Sequence, residues 1–289
     1  MKVTKKVVFI GARFNVLEQL LKTEDQNSLT IFALENSFLA NTLNEKQIAY
    51  RAFQLGAKKK LLETLFHLPF DILVSNGCPF ILPVSKFKRH QKLINVHPTY
   101  LPYLQGKTPL NGVFYDNYDF YGATMHYMDE GIDTGDIIYQ KKEMLTPDID
   151  LGLLYYLSMK LEGTVFAEGW EKLKSANFEY SGQKQLEKGS YFNREPQMQQ
   201  LDFTKDSDEH LLRCIKSFGI GSQGCRAQLN RGAFVIYAAE PIVHKPLLNQ
   251  FKAEKAGNIL LEYDGKLLVK TPEGIIKLTN YSSITSKNE

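Results

Sequence analysis

The chain has 289 residues, of which 43% are apolar, 12% are aromatic and 23% are charged, and its formal net charge is +3. No apolar run approaches the about 20 residues that a membrane-spanning helix needs. The charged fraction is too low for a disordered polyelectrolyte. The length fits one large domain or two smaller ones.

Charge is spread evenly along the chain. Residues 196–289 hold 12 Lys and Arg against 10 Asp and Glu, and residues 1–195 hold 23 against 22. Neither part is basic enough to indicate nucleic acid as the main partner, so no nucleic-acid or membrane partner is expected.

The compartment is predicted from the cysteines and from the first apolar run. The chain has three cysteines, Cys78, Cys214 and Cys225, and no two of them form a Cys-x-x-Cys pair. This disfavours a disulfide scaffold or a thiolate metal site. The apolar run at residues 7–11 is too short for a signal peptide and is typical of a buried strand. We therefore expect a cytoplasmic protein.

Apolar runs alternate with helical patterns in the first half of the chain. Helices are predicted around residues 16–21 and over 58–67 because their leucines recur at helical spacing. Strands are predicted at residues 7–10, 29–34, 72–74 and 92–96. This alternation predicts an α/β fold with a Rossmann-like, largely parallel sheet. The turn at 11–14 lacks the Gly-x-Gly-x-x-Gly pattern, so NAD is disfavoured.

The pattern changes after residue 120. Two strands are predicted at 120–128 and 136–144, joined by the glycine- and aspartate-rich loop 129–135. Asp150 is predicted to cap a long helix. The polar stretch 175–200 is interpreted as a linker.

The C-terminal part is predicted to be mostly β-structure. After a short helix at 209–218, strands are predicted at 233–238, 258–262, 266–270 and 275–278. We therefore expect a catalytic domain over residues 1–194 and a small, β-rich, barrel-like domain over 195–289.

The segment 95–102, Asn-Val-His-Pro-Thr-Tyr-Leu-Pro, ends the fourth predicted strand. Asn95 and His97 leave the same face of this strand, at the carboxyl edge where α/β sheets bind ligands. An Asn amide can donate to a developing oxyanion, and a His can carry protons at neutral pH. The alternative is that His97 closes a strand and Asn95 bonds backbone groups, as polar residues at strand ends usually do.

Asp133 lies in the loop that follows the alternating strand. A carboxylate there can return to the same sheet edge and stabilise a charged His97. The three side chains would then supply the oxyanion donor, the proton carrier and the orienting acid that acyl transfer needs. A solvated turn aspartate remains the alternative.

These motifs together resemble the family of formyltransferases that use N10-formyltetrahydrofolate, and the resemblance is close over residues 71–145. The family includes glycinamide ribonucleotide transformylase, methionyl-tRNA formyltransferase and the sugar N-formyltransferases. The motifs that carry it, in chain order, are Asn95-x-His97, Leu101-Pro102, Gly106-x-x-Pro109 and Met-Asp-Glu-Gly-Ile-Asp-Thr-Gly-Asp at 128–136. Segments 126–138 and 218–224 look most like the sugar enzymes.

The resemblance implies a catalytic role for Asn95, His97 and Asp133. An amine would attack the formyl carbon, and Asn95 with protonated His97 would stabilise the resulting oxyanion. His97 would also pass a proton to the leaving folate nitrogen, while Asp133 would support the charged ring. The chemistry needs no metal, and no metal-ligand set is evident in the sequence.

The resemblance also implies N10-formyltetrahydrofolate as the formyl donor. Two backbone segments would hold its pterin by main-chain hydrogen bonds. These are Phe80, Ile81 and Leu82, and Glu130, Gly131 and Ile132. From the residues alone, the apolar side chains of the first segment could equally belong to the core.

One departure from the family concerns the residues after Leu101-Pro102. The family often has Arg-Gly there, whereas this chain has Gln105-Gly106-Lys107. We predict that Gly106, Lys107 and Arg13 contact the diphosphate of the substrate, with Lys107 acting as a point charge. Solvated surface charge is the alternative for Arg13 and Lys107.

The similarity to the sugar enzymes implies a nucleotide-linked amino sugar as the small-molecule partner. Its primary amine would accept the formyl group, and we expect a dTDP-linked amino-dideoxyhexose for lipopolysaccharide O-antigen or a related surface glycan. A homodimer is a further expectation. Two alternatives stay open: methionyl-tRNA formyltransferase, and a hydrolase like formyltetrahydrofolate deformylase, in which water replaces the amine.

Overall fold

The computed structural model describes residues 5–284, so the outer ends of both predicted domains, 1–4 and 285–289, lie outside the described residues. The chain forms two compact units, each built from three stretches of chain. In the described residues the first unit comprises 5–106, 120–144 and 156–191, and the second comprises 107–119, 145–155 and 192–284. The predicted boundary between residues 194 and 195 stays a prediction.

Seven strands form the sheet of the first unit. They are β1 (Val7–Gly11), β2 (Leu29–Leu34), β3 (Arg51–Phe53), β4 (Ile72–Asn76), β5 (Lys92–His97), β6 (Phe120–Tyr127) and β7 (Ile137–Met144). Their order is β3-β2-β1-β4-β5-β6-β7. Strands β1 to β5 pair in parallel, and β6 and β7 are antiparallel. The Rossmann-like, largely parallel sheet is therefore confirmed.

Helices connect the parallel strands. They are α1 (Phe14–Thr23), α2 (Phe38–Glu45) and α3 (Lys58–His67). On α1, residues spaced by three and four positions are buried (Val16, Leu17 and Leu20), as an amphipathic helix requires. In chain order, α4 (Pro109–Tyr115) and α5 (Leu151–Ser175) follow. Asp150 accepts the Leu153 N–H at 2.8 Å, which confirms the predicted cap of α5.

Strand pairing brings the polar ends of β4, β5 and β6 together. Ser75 on β4 pairs with Asn95 on β5, and Asn95 in turn pairs with His126 on β6. His97 pairs with Thr124. Because directly opposite residues share a face of the sheet, Asn95 and His126 lie side by side.

The second unit contains α4, α6 (Asp208–Phe218), α7 (Lys245–Gln250) and a six-stranded sheet. Its strands are β8 (Gln200–Leu201), β9 (Cys225–Leu229), β10 (Gly232–Pro241), β11 (Ile259–Tyr263), β12 (Lys266–Lys270) and β13 (Ile275–Ile284). Their order is β11-β12-β13-β10-β9-β8, and every pair except β8–β9 is antiparallel. The smaller β-rich part is thus confirmed. Within residues 5–284, no helix is long and apolar enough to cross a membrane.

Candidate active site

Asn95, His97 and Asp133 converge at the end of β5. Asn95 Nδ2 donates to Asp133 Oδ1 at 3.2 Å, and His97 Nδ1 lies 3.4 Å from Asp133 Oδ2. The two β5 residues share a face because they are two positions apart. The loop between β6 and β7 returns Asp133 to that face. The structure therefore brings all three predicted side chains together.

The Asp133 loop has a fixed backbone. Asp133 itself has φ +57°, in the left-handed region that aspartate tolerates better than most residues. A Cβ at Gly135 would lie 1.9 Å from the carbonyl oxygen of Tyr127, so only glycine fits there. Within the loop, Asp129 Oδ1 accepts hydrogen bonds from the hydroxyl of Thr134 at 2.7 Å and from the N–H of Gly131 at 3.0 Å.

His97 has an acceptor facing each ring nitrogen. Nε2 lies 2.9 Å from the carbonyl oxygen of Leu104, and Nδ1 faces the Asp133 carboxylate. Burial lowers the pKa of His97, whose side chain is almost fully enclosed, and the charge of Asp133 opposes that effect. Burial therefore favours the neutral ring, and the two acceptors can bind both N–H groups of the protonated ring.

Asp133 stays ionised. Its burial alone would raise its pKa, but His97, His126 and the Gly106 N–H outweigh burial and hold the pKa well below the ordinary value of 3.8. The Gly106 N–H donates to Asp133 Oδ2 at 3.0 Å.

His126 is a fourth member of the cluster, to which the sequence analysis assigned no role. Its Nδ1 lies 2.7 Å from the carbonyl oxygen of Tyr127, and its Nε2 lies 3.3 Å from Asn95 Nδ2. The Asn95 amide therefore lies between His126 and Asp133, and His126 Nε2 itself lies 3.6 Å from Asp133 Oδ1. A histidine inside an alternating strand was the available signal, but the β5–β6 register that makes it informative is not evident from sequence.

The predicted diphosphate contacts are placed differently from one another. Arg13 forms an ion pair with the fully buried carboxylate of Glu162. Gly106 has φ +112°, which favours glycine, and its N–H already binds Asp133. Lys107 is exposed and belongs to the second unit. Contact of these three residues with a diphosphate stays a prediction.

The two segments predicted to bind folate have free peptide groups. Within the part of the chain that the structure describes, the backbone N–H and C=O groups of Ile81, Leu82, Glu130 and Ile132 make no hydrogen bond to protein. The Leu82 side chain belongs to the core, as the alternative held, and Ile81 is 57% exposed. The Phe80 ring lies 5.9 Å from the ring of Phe53. These free peptide groups suit main-chain recognition of a pterin.

A cavity of about 400 Å³ lies where β5 begins and β6 ends, and Leu93, Tyr127, Met128 and Tyr180 are among the residues that line it. Asn95, His97 and Asp133 are not among its lining residues. Its volume lies in the range of small-molecule sites.

The sequence profile of formyl transferases matches residues 5–168, more than half of the chain. Methionyl-tRNA formyltransferase of Halothermothrix orenii is 24% identical over 290 residues, which cover 94% of this chain and 90% of that enzyme. The enzyme of the same name from Syntrophus aciditrophicus is 42% identical over 95 residues, but the match spans only 32% of this chain and 30% of that enzyme.

Two solved structures are similar to this chain over nearly their whole length. One is the N-formyltransferase from Helicobacter canadensis in complex with folinic acid and dTDP-3-aminofucose. Its TM-score to this chain is 0.68 and the two sequences are 20% identical. The alignment covers 95% of this chain and 98% of the Helicobacter enzyme. The other is WlaRD, a sugar 3N-formyl transferase in the presence of dTDP and 5-N-formyl-THF. Its TM-score to this chain is 0.69 and the two sequences are 18% identical. The alignment covers 96% of this chain and 98% of WlaRD.

At these identities the structural likeness concerns the fold, and it agrees with the α/β unit followed by a β-rich unit. The profile match covers the strand that carries Asn95 and His97 and the loop that carries Asp133. The chain therefore belongs to the formyl transferase family.

Proposed function

We propose that this enzyme transfers the formyl group of N10-formyltetrahydrofolate to the primary amine of a nucleotide-linked amino sugar. The observation that carries the proposal is the convergence of Asn95, His97 and Asp133 at the end of β5. A dTDP-linked amino-dideoxyhexose for a surface glycan is the proposed acceptor.

His97 is the proposed proton carrier. Bound formyltetrahydrofolate supplies an electrophilic formyl carbon, and the acceptor amine must lose a proton to form the amide. When His97 takes that proton, its Nε2–H donates to the carbonyl oxygen of Leu104, and its Nδ1–H donates to the carboxylate of Asp133. Burial lowers the pKa of the ring, so it releases the proton readily to the leaving nitrogen.

Asn95 is the proposed donor to the oxygen that gains charge during attack. Its amide nitrogen now donates to Asp133 at 3.2 Å and lies 3.3 Å from His126 Nε2. Both distances are at the long end for N–H donors, so exchanging one partner for the substrate oxygen costs little. Asp133 and His126 would hold the amide in readiness for that exchange.

The choice of acceptor rests on overall likeness and charge. The two sugar enzymes match this chain along nearly all of both chains, and residues 196–289 carry only 12 basic against 10 acidic side chains. A tRNA acceptor needs a denser basic face. Methionyl-tRNA formyltransferase is the second candidate, because the Halothermothrix relative also matches 94% of this chain.

A formylation screen tests the proposal. Purified enzyme and N10-formyltetrahydrofolate are incubated with dTDP-, UDP- and GDP-linked amino sugars, and the products are analysed by mass spectrometry. We expect an N-formyl product with at least one dTDP-amino sugar. Formate release without any amine would instead support the hydrolase alternative, and absence of product from all three nucleotide classes would overturn the sugar proposal.

A further inference from the structure

The polar stretch interpreted as a linker packs against the catalytic loops. We call residues 179–191 the strap. Gln183 pairs through its backbone with Ile137 in both directions at 2.8 Å, next to the Asp133 loop. Ser190 accepts the Gln105 N–H at 2.8 Å through its carbonyl and the Leu104 N–H at 2.9 Å through its hydroxyl. The strap therefore reaches both the Asp133 loop and the segment that faces His97.

Gln185 is the strap side chain that binds the Asp133 loop directly. Its Nε2 donates to the carbonyl oxygen of Asp133 at 2.9 Å and to that of Gly135 at 2.8 Å. Both partners are pure acceptors, so the nitrogen of the amide must face them. The Asp133 carbonyl receives a second donor, Gln105 Nε2, at 3.2 Å, and this nitrogen also lies 3.4 Å from Gln185 Oε1. The two glutamines thus form one amide pair on the loop.

This amide pair binds the backbone of Asp133, which has an unusual conformation. Asp133 sits at φ +57°, a region that non-glycine residues rarely adopt, so surrounding contacts must maintain it. The carbonyl and the side chain of Asp133 leave the same Cα, and Gln185 also binds the Gly135 carbonyl two residues further on. A displacement of this loop backbone away from Gln185 would therefore carry the carboxylate away from the Gly106 N–H, from Asn95 and from His97.

We propose that Gln185 is a positioning residue for catalysis. It fixes the Asp133 backbone so that the carboxylate keeps its hydrogen bonds to the Gly106 N–H and the Asn95 amide and its contact with the His97 ring. The inference rests on the proposed function in so far as Asp133 serves formyl transfer. Among the described residues, no hydrogen bond joins Gln185 to Asn95 or His97, so we expect its effect on them to pass through the Asp133 loop.

The first test needs no substrate. Gln185→Met keeps the approximate length of the side chain and removes both donors. In 15N-labelled protein, the signal of the Gly106 amide reports whether its N–H still donates to the Asp133 carboxylate. Asp133→Asn is the reference for loss of the charged acceptor. We expect Gln185→Met to move the Gly106 signal toward that reference and to speed its hydrogen exchange about tenfold.

Gln183→Met is the matched control, because Gln183 is exposed and its hydrogen bonds run from its backbone to Ile137, at the start of β7. It should leave the Gly106 amide unchanged. If Gln185→Met does not fold, Gln105→Met removes the other donor to the Asp133 carbonyl, and after correction for the neighbouring side chain it should speed hydrogen exchange of the Gly106 amide in the same way. A Gly106 amide that is unchanged in the folded Gln185 variant, or in its Gln105 substitute, overturns the proposal.

A kinetic cycle separates positioning from general structural support. Gln185→Met should lower kcat by up to about 10²-fold, with KM for the formyl donor within about twofold. In an Asp133→Asn background the same change should have almost no further effect, because coupled residues are not additive. Full additivity contradicts the proposal. If no acceptor is ever turned over, the proposed function fails, and the Gly106 measurement alone decides the role of Gln185.

Discussion

His97 experiences two opposing influences, and their balance is what a proton carrier needs. Enclosure lowers its pKa, which favours release of a proton, while the Asp133 carboxylate at 3.4 Å favours its uptake. Burial is the larger influence, so the ring releases a bound proton readily, while the carboxylate lowers the cost of taking one up. Asp133 stays charged throughout, because His97, His126 and the Gly106 N–H hold its pKa down.

Replacing His97 tests its role in proton transfer. We expect His97→Ala to leave binding of N10-formyltetrahydrofolate nearly unchanged and to lower turnover by about 10²–10⁴-fold, the usual contribution of a positioned acid or base. Donor binding is measured by calorimetry and turnover by release of tetrahydrofolate at controlled pH. Turnover equal to that of the wild type would remove His97 from the mechanism.

Asp133→Asn tests the electrostatic part of the account. The charge of Asp133 raises the pKa of His97, so removing it should move the His97 titration to lower pH. The titration is followed by NMR of the imidazole, with the signal identified by its absence in His97→Ala. An inflection that stays in place or moves to higher pH would show that Asp133 does not act on His97 in this way.

At the level of elements, the pairing of β5 with β6 decides which polar residues meet. The sequence analysis placed Asn95 and His97 on one face, because alternation along a strand is a local rule. It could not assign His126, because the antiparallel register that sets it opposite Asn95 depends on contacts distant in sequence. The strap was interpreted as a linker for the same reason, because its hydrogen bonds to loops of the first unit join residues that are distant in sequence.

A second buried polar group ties α5 to the sheet. Glu162 on α5 is fully buried, pairs with Arg13 and accepts the Asn76 amide at 3.0 Å, and that amide also donates to the Val96 carbonyl. Burial raises the pKa of Glu162, which Arg13 and Asn76 oppose. Arg13 was predicted to bind a diphosphate, but a sequence cannot show that a distant helix supplies it with a buried carboxylate.

We expect Arg13→Met to lower the free energy of unfolding by about 3–5 kcal/mol near pH 8, because it leaves a buried charge without its partner. The loss should shrink as the pH falls toward 5. Glu162 has a raised pKa when folded, so the folded variant binds a proton more readily than the unfolded chain and gains stability as the pH falls. Urea unfolding of the variant and the wild type at pH 8 and pH 5 measures this difference in the free energy of unfolding.

The control for this change is Lys22→Met on α1. Lys22 and Glu18 form an exposed ion pair at 3.3 Å, whose loss should cost less than about 1 kcal/mol at either pH. If Arg13→Met costs no more than this control at pH 8, the pairing of Arg13 with Glu162 does not stabilise the fold.

For the whole molecule, the sequence was sufficient for the fold class and for the family. Periodicity predicted the α/β unit and the later β-strands because both signals are local. It did not predict that residues 107–119 and 145–155 join the second unit, because membership of a compact unit is a property of the packed chain. The acceptor is the remaining question, since family membership fixes the chemistry of the donor side better than the identity of the amine.

The most direct test compares three acceptors with one donor. Release of tetrahydrofolate from N10-formyltetrahydrofolate is followed with a dTDP-linked amino sugar, with methionyl-tRNA and with no amine, each at low and at physiological salt. The account predicts rapid release with the amino sugar at both salt concentrations and little with the other two. Rapid, strongly salt-dependent release with methionyl-tRNA alone would contradict it.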